Sequence, residues 1–196
     1  MKIPAIAGID YSMTSPSITI FSPSEDGEKF TFEKCVTFFF NDTKKYRGEF
    51  CQRRVYGHDI DNGFYTHEIE RFAMLADKVL AILEGFNVKE VALENYAYSA
   101  TGRVFHIAEN TGILKFKLLE MGYLLHTYEP TVIKKFATGK GNAKKEQMYE
   151  SFHKETGVNL VHELGSTSKK IGSPISDIVD SYFIAKFHYY GGVLPN

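Results

Sequence analysis

The chain has only two cysteines, Cys35 and Cys51, sixteen residues apart and outside any CxxC or Cys/His cluster. Such a pair excludes a disulfide framework and a thiolate metal knot, and is expected to be two reduced thiols, which places the protein in a reducing compartment. Charge of one sign is also missing: 23 Lys and Arg stand against 24 Asp and Glu, a net charge of −1. A surface that is basic all over is thereby excluded, so any site for a polyanion must be a local patch. No apolar run approaches the length of a membrane span, and "MKIPAIAGID" breaks at a carboxylate too soon for a signal sequence, so a cytoplasmic protein without a membrane partner is expected. Repeats and low-complexity segments are absent. At 196 residues and 43% apolar content, the length supports one domain over 1–196 and not two comfortable ones.

What is present reads as an α/β chain. "AIAGID" and "SITIF", split by the turn-forming "SMTSPS", form a hairpin, and "KFTFEKCVTFFF" adds a third antiparallel strand. From Asn41 to Tyr65 the periodicity lapses, and that stretch is assigned no regular structure. Ile69, Phe72, Ala73, Ala76, Val79, Leu80 and Leu83 then share one helical stripe that stops near Gly85. The buried strand "VKEVALENY" comes next, then a helix with Val104, Ile107, Thr111, Leu114, Leu118 and Met121 on one side, and a strand "YLLHTYE". Strand, helix, strand, helix, strand implies right-handed crossovers, giving a five-stranded mixed sheet of three antiparallel strands followed by parallel ones, with helices on both faces. Two short helices hinged at "TGKGN", the second capped by Asn142 and ended by Gly157, and a last helix "ISDIVDSYFIAKFHYY" complete the chain.

The chemistry lies in carboxylates placed where the pattern expects apolar residues. Asp10 and Glu94 each close an apolar strand, and ligands of open α/β sheets bind outside such carboxyl ends. In the last helix Asp177 and Asp180 interrupt the stripe of Ile175, Ile178, Val179, Tyr182 and Phe183, three residues apart and on nearly one face. Each alone reads equally well as a helix cap or an ion-pair partner. Together, four carboxylates suit hard divalent cations such as Mg²⁺, and two such ions serve phosphodiester hydrolysis. Five lysines between Thr131 and Gln147, namely Lys134, Lys135, Lys140, Lys144 and Lys145, offer a phosphate-binding surface beside a helix N-terminus, or else a solvated helix face. Tyr96 and Tyr98 stand ready to stack on unpaired bases or to pack at a core rim.

With these residues the sequence resembles the RuvC-type Holliday junction resolvases of the RNase H-like nuclease superfamily. The likeness runs through "AGIDYSMTSPSI", "VALENYAYSATGRVFHIAENTGILKFKLLEMG", "TGKGNAKKEQMY" and "SPISDIVDSYFIAKF". The resemblance implies an RNase H-like fold and a homodimer that binds branched DNA, above all four-way junctions. It implies paired symmetric nicks that leave 5′-phosphate and 3′-hydroxyl, with two Mg²⁺ ions per site and Mn²⁺ as a substitute. By the same resemblance Asp10, Glu94, Asp177 and Asp180 are the metal-binding catalytic acids, and Lys145 is the catalytic lysine at the scissile phosphate. Ser12, Tyr96, Tyr98, Arg103, Lys134, Lys140, Lys144 and Lys145 are then the DNA contacts, and Phe105, Phe116 and Leu119 face a partner. Tyr11 and Ser12 replace the Pro-Gly usual after the first Asp, and the 41–65 and 158–174 segments are longer than in bacterial resolvases. These departures point to a diverged branch, such as a virus-encoded one acting in its host's cytoplasm. Three other readings stand: a nuclease for flaps and other branched DNA, an actin- or sugar-kinase-type ATPase, and a non-catalytic DNA-binding module.

Overall fold

Seven strands hydrogen-bond into one mixed sheet in the computed structural model, which describes residues 3–25, 27–60, 65–95 and 104–192, Val104 by its backbone alone. The strands are β1 (Ala5–Asp10), β2 (Ser17–Phe21), β3 (Cys35–Asn41), β4 (Gly48–Phe50), β5 (Val55–Asp59), β6 (Val88–Glu94) and β7 (Leu124–Tyr128). Their order across the sheet is β4-β5-β3-β2-β1-β6-β7. The helices are α1 (Glu68–Gly85), α2 (Val104–Glu120), α3 (Pro130–Thr138), α4 (Lys145–Thr156), α5 (Leu160–Glu163) and α6 (Ile175–Tyr189).

The expected five strands are all present, with β1, β2 and β3 antiparallel and β6 and β7 parallel to β1. The count of five is too low, because the 41–65 stretch holds β4 and β5, with β5 adding to β3 in parallel. A second correction concerns "KFTFEKCVTFFF". Its first half turns through a 3₁₀ segment at Phe32–Lys34, which drops Phe30 and Phe32 into the core, and the strand starts only at Cys35. Ile69, expected on the buried stripe of α1, is exposed, and Leu75 takes that role. Asn142 does not cap α4; the N-cap is Lys144, whose N–H donates to Gln147 Oε1 at 3.0 Å, and Gly157 ends the helix at φ 72° as expected.

Alternation along the central strands sorts the core into two layers. Ala7 and Ile9 of β1 with Val91 and Leu93 of β6 face α1 and α2, while Ile6 and Ala92 face α6, α3 and α4. Gly8 belongs to the second face, and a Cβ there would lie 2.2 Å from the Ala185 backbone nitrogen, so only glycine lets α6 cross the sheet this closely. Under that crossing lies a ladder of buried hydroxyls. Ser181 Oγ is 2.9 Å from both Ser17 Oγ and Thr19 Oγ1, and Thr19 Oγ1 is 2.9 Å from Thr37 Oγ1. Hydrogen bonds therefore fix where α6 lies along β2 and β3. Among the described residues no helix is long and apolar enough to cross a membrane.

Candidate active site

Asp10 is two residues beyond Gly8, so the strand pleat turns it to the face covered by α6. Ile9 pairs with Leu93 in the parallel ladder, and Glu94, the next residue of β6, shares the face of Ala92. The two carboxylates thus end adjacent central strands on one side. Above them α6 contributes Asp177, which is buried at 4% exposure, and Asp180 one turn further on.

The electrostatics record the proximity. Burial first, then Asp177, Asp180 and Glu94 in that order, hold the Asp10 carboxyl well above its ordinary value, with Lys145 working against them. Asp180 is pushed up to about 7 by burial and then by Asp177, while Lys145 and Lys134 pull it down. Glu94 also reaches about 7, through burial and then Asp180, opposed by Lys134. Asp177 is raised by burial, and the hydroxyls of Ser173, Ser176 and Ser15, with Lys145, return part of that shift. Asp177 is buried and Asp10, Glu94 and Asp180 are half-buried, and acids this near one another raise each other's affinity for positive charge, whether protons or cations.

Two further observations bear on a cation. Asp177 Oδ1 accepts from Ser176 Oγ at 3.0 Å, but its Oδ2 is buried and makes no hydrogen bond of ordinary geometry. The donors on offer are carboxylate oxygens, the type Mg²⁺ and Mn²⁺ prefer. The residues present fit such an ion. Lys145, at the start of α4, donates from Nζ to Ser176 Oγ at 3.1 Å, which links α4 to the acidic cluster through one hydroxyl.

A cleft of about 530 Å³ opens beside the cluster, lined by Glu94 and Asp180 on one side and by Lys134, Lys144, Lys145 and Lys170 on the other. The structure therefore brings together the four predicted acids and three of the predicted lysines. Lys140 is exposed in the α3–α4 turn and is not among the lining residues. Ser12 is occupied locally, its Oγ accepting the Ser15 N–H at 3.0 Å. Tyr96, Tyr98 and Arg103 lie outside the described residues. Sequence reasoning missed Lys170, Ser15 and Ser176. Ser176 carried a signal, as the hydroxyl next to a carboxylate that must be buried; Lys170 sits in an irregular loop with none. Tyr11 faces away from the site, buried against the α1 and α2 layer, while Arg71 Nη2 donates to the Met13 carbonyl at 3.0 Å and holds the loop after Asp10.

An α/β sheet with acids at the ends of its central strands, completed by acids of a final helix and flanked by a lysine-lined cleft, is the arrangement expected of an RNase H-like nuclease. The family described as crossover junction endodeoxyribonuclease RuvC matches residues 59–171, a span that includes Glu94 and Lys145 and stops short of the other three acids. A RuvC from Sulfurovum sp. is 34% identical over 122 residues, covering 61% of this chain and 69% of that protein. One from Helicobacter acinonychis is 33% identical over 84 residues, 42% of this chain and 54% of that protein. Thermus thermophilus RuvC, solved in complex with a Holliday junction substrate, superposes with a TM-score of 0.62 at 18% identity, over 97% of this chain and 95% of that one. This chain belongs to the RuvC family of crossover junction endodeoxyribonucleases. The ATPase reading falls with that assignment.

Proposed function

We propose that the protein resolves four-way DNA junctions by metal-dependent hydrolysis, cutting symmetrically as a homodimer and leaving 5′-phosphate and 3′-hydroxyl ends. The observation that carries this is the convergence of Asp10, Glu94, Asp177 and Asp180, from two adjacent strands and one helix, at the edge of a lysine-lined cleft. Asp10, Glu94, Asp177 and Asp180 would hold two Mg²⁺ ions, or Mn²⁺ in their place, with Asp10 central because all three other acids act on it. Such ions lower the pKa of water and neutralise the oxygen that leaves phosphorus. Lys145, held to the acids by Ser176, is placed to meet charge building on the scissile phosphate. Lys134, Lys144 and Lys170 line the approach and position neighbouring phosphates, which sets register without reading base sequence. The stripe of Phe105, Phe116 and Leu119 on α2, exposed at 77%, 66% and 61%, provides an apolar face for a second copy. Two buried, free cysteines suit the reducing cytoplasm.

The test is a panel of synthetic four-way, three-way, flap and linear duplex DNA, each with Mg²⁺ or EDTA. Wild type is expected to nick the four-way junction in strand pairs only with Mg²⁺, and Asp10→Asn to bind it without cutting. Full cleavage by Asp10→Asn removes the metal assignment, and preferential cutting of flaps replaces junction resolution with a broader branched-DNA activity.

A further inference from the structure

We propose a second metal site, for Zn²⁺, formed by Glu90, His126 and His188 at the end of the sheet opposite the four carboxylates. Glu90 lies near the start of β6, four residues before Glu94, and His126 is on β7 beside Ala92. In-register neighbours of a parallel ladder share a face, and His126 pairs with Ala92, two residues beyond Glu90, so Glu90 and His126 project to the same side. His188 descends from the last turn of α6, about 12 Å along the helix axis from Asp180. No residue is shared with the nuclease site.

Among the described residues this is the one trio of His, Cys, Asp or Glu whose ligand atoms all lie within 4.8 Å of one another. Glu90 Oε2 is 3.3 Å from His126 Nε2 and 3.2 Å from His188 Nε2. An N–H···O hydrogen bond normally closes to about 2.9 Å. Ligand atoms about 2.0–2.1 Å from a tetrahedral Zn²⁺ sit about 3.3 Å apart, so both contacts have the length of a coordination edge. Two imidazoles and one carboxylate form a common Zn²⁺ donor set that leaves a fourth position for water or an exogenous ligand.

The surroundings are arranged for ligation. Tyr128 Oη lies 2.8 Å from His188 Nδ1. With Nδ1–H donated to that phenol oxygen, the Nε2 lone pair is free and aimed toward Glu90, the outer-shell arrangement that fixes a ligand's tautomer. Burial, and then the neighbouring His126, hold the His188 imidazole below its ordinary pKa against the pull of Glu90. The His188 side chain is 7% exposed while those of Glu90 and His126 are each 41% exposed, which gives the ion an anchored side and an open one. A pocket lined by Ile3, Pro4, Pro23 and Tyr189 reaches Glu90 and His188 from outside. An ion here clamps β6 and β7 to the far end of the helix that carries Asp177 and Asp180.

The experiment strips the full chain of metal, supplies Mg²⁺ throughout, and titrates Co²⁺ as a spectroscopic stand-in for Zn²⁺. Wild type is expected to bind one Co²⁺ with the intense visible bands of four-coordinate geometry, to release it on adding Zn²⁺, and to melt higher with Zn²⁺ bound. His126→Asn is expected to lose at least about 100-fold in affinity, and Tyr128→Phe about 10- to 100-fold, the range for an outer-shell partner. Asp10→Asn is expected to bind Co²⁺ unchanged. His126 is half exposed, so its variant is expected to fold even if His188→Asn does not. Octahedral-type spectra only, or wild-type affinity in folded His126→Asn, overturns the proposal.

Discussion

Lys145 lies at the mouth of the cleft and reaches the acids through a single hydroxyl, Ser176 Oγ, which itself donates to Asp177. A cation held this way offsets the acids in the free protein, and on the proposed function it also meets the phosphate once DNA is bound. Lys145→Ala is expected to lower single-turnover cleavage at saturating junction by about 100-fold, the scale of one well-placed charge donor, while moving the binding midpoint far less. Equal losses in binding and turnover would make Lys145 an ordinary phosphate contact. At this scale the acids were legible because a carboxylate closing an apolar run demands a partner. The hydroxyls beside them were not: Ser15, whose buried Oγ makes no hydrogen bond of ordinary geometry, and Ser173 sit in turn-like sequence where serine needs no explanation. Tyr11 stands beside the first acid, but its side chain serves the other layer of the core.

Among the elements, long periodic ones were read closely and short ones were lost. The β4–β5 hairpin escaped because its turn is made of Cys51, Gln52 and Arg53, all with positive φ and none a glycine or asparagine that would announce it. Gly57, which reads as a breaker, is a strand residue kept small by the Tyr46 carbonyl, 1.7 Å from where a Cβ would stand. Helix α2 shows what periodicity does convey: Thr111, Leu114 and Leu118 are buried while Phe105, Phe116 and Leu119 look outward. A helix apolar on two sides needs two partners, and one of its faces has the sheet. Phe116→Asp is expected to shift sedimentation at micromolar concentration from dimer to monomer and to replace paired nicks with single ones, with the fold retained. A dimer that survives this change places the symmetric partner elsewhere, and a monomeric wild type counts against symmetric paired nicking.

For the molecule as a whole, the proposed metal role of the acidic cluster ties its stability to its metal response. The carboxyls of Asp180 and Glu94 rise from 3.8 and 4.5 to about 7, so between those limits the folded chain holds protons that the unfolded chain has released. Their contribution to stability is complete below the unfolded values and is lost as pH rises through about 7. In EDTA, Asp180→Asn is therefore expected to gain in melting temperature relative to wild type between about pH 5 and about pH 8, and to melt higher at the upper end. Mg²⁺ at that pH is expected to stabilise wild type and to help the variant less; a pH-independent difference would mean that neither burial nor its acidic neighbours raise the Asp180 carboxyl. The site exists only where β1 meets α6, and residues 10 and 180 lie at opposite ends of the described chain. During synthesis Asp10 emerges long before its partners, so a chain still on the ribosome has no complete set of acids until α6 has been made and docked over Gly8. On the proposed assignment of the four acids, a half-made chain cannot cut DNA, and cutting is expected to begin only once the sheet has received its last helix.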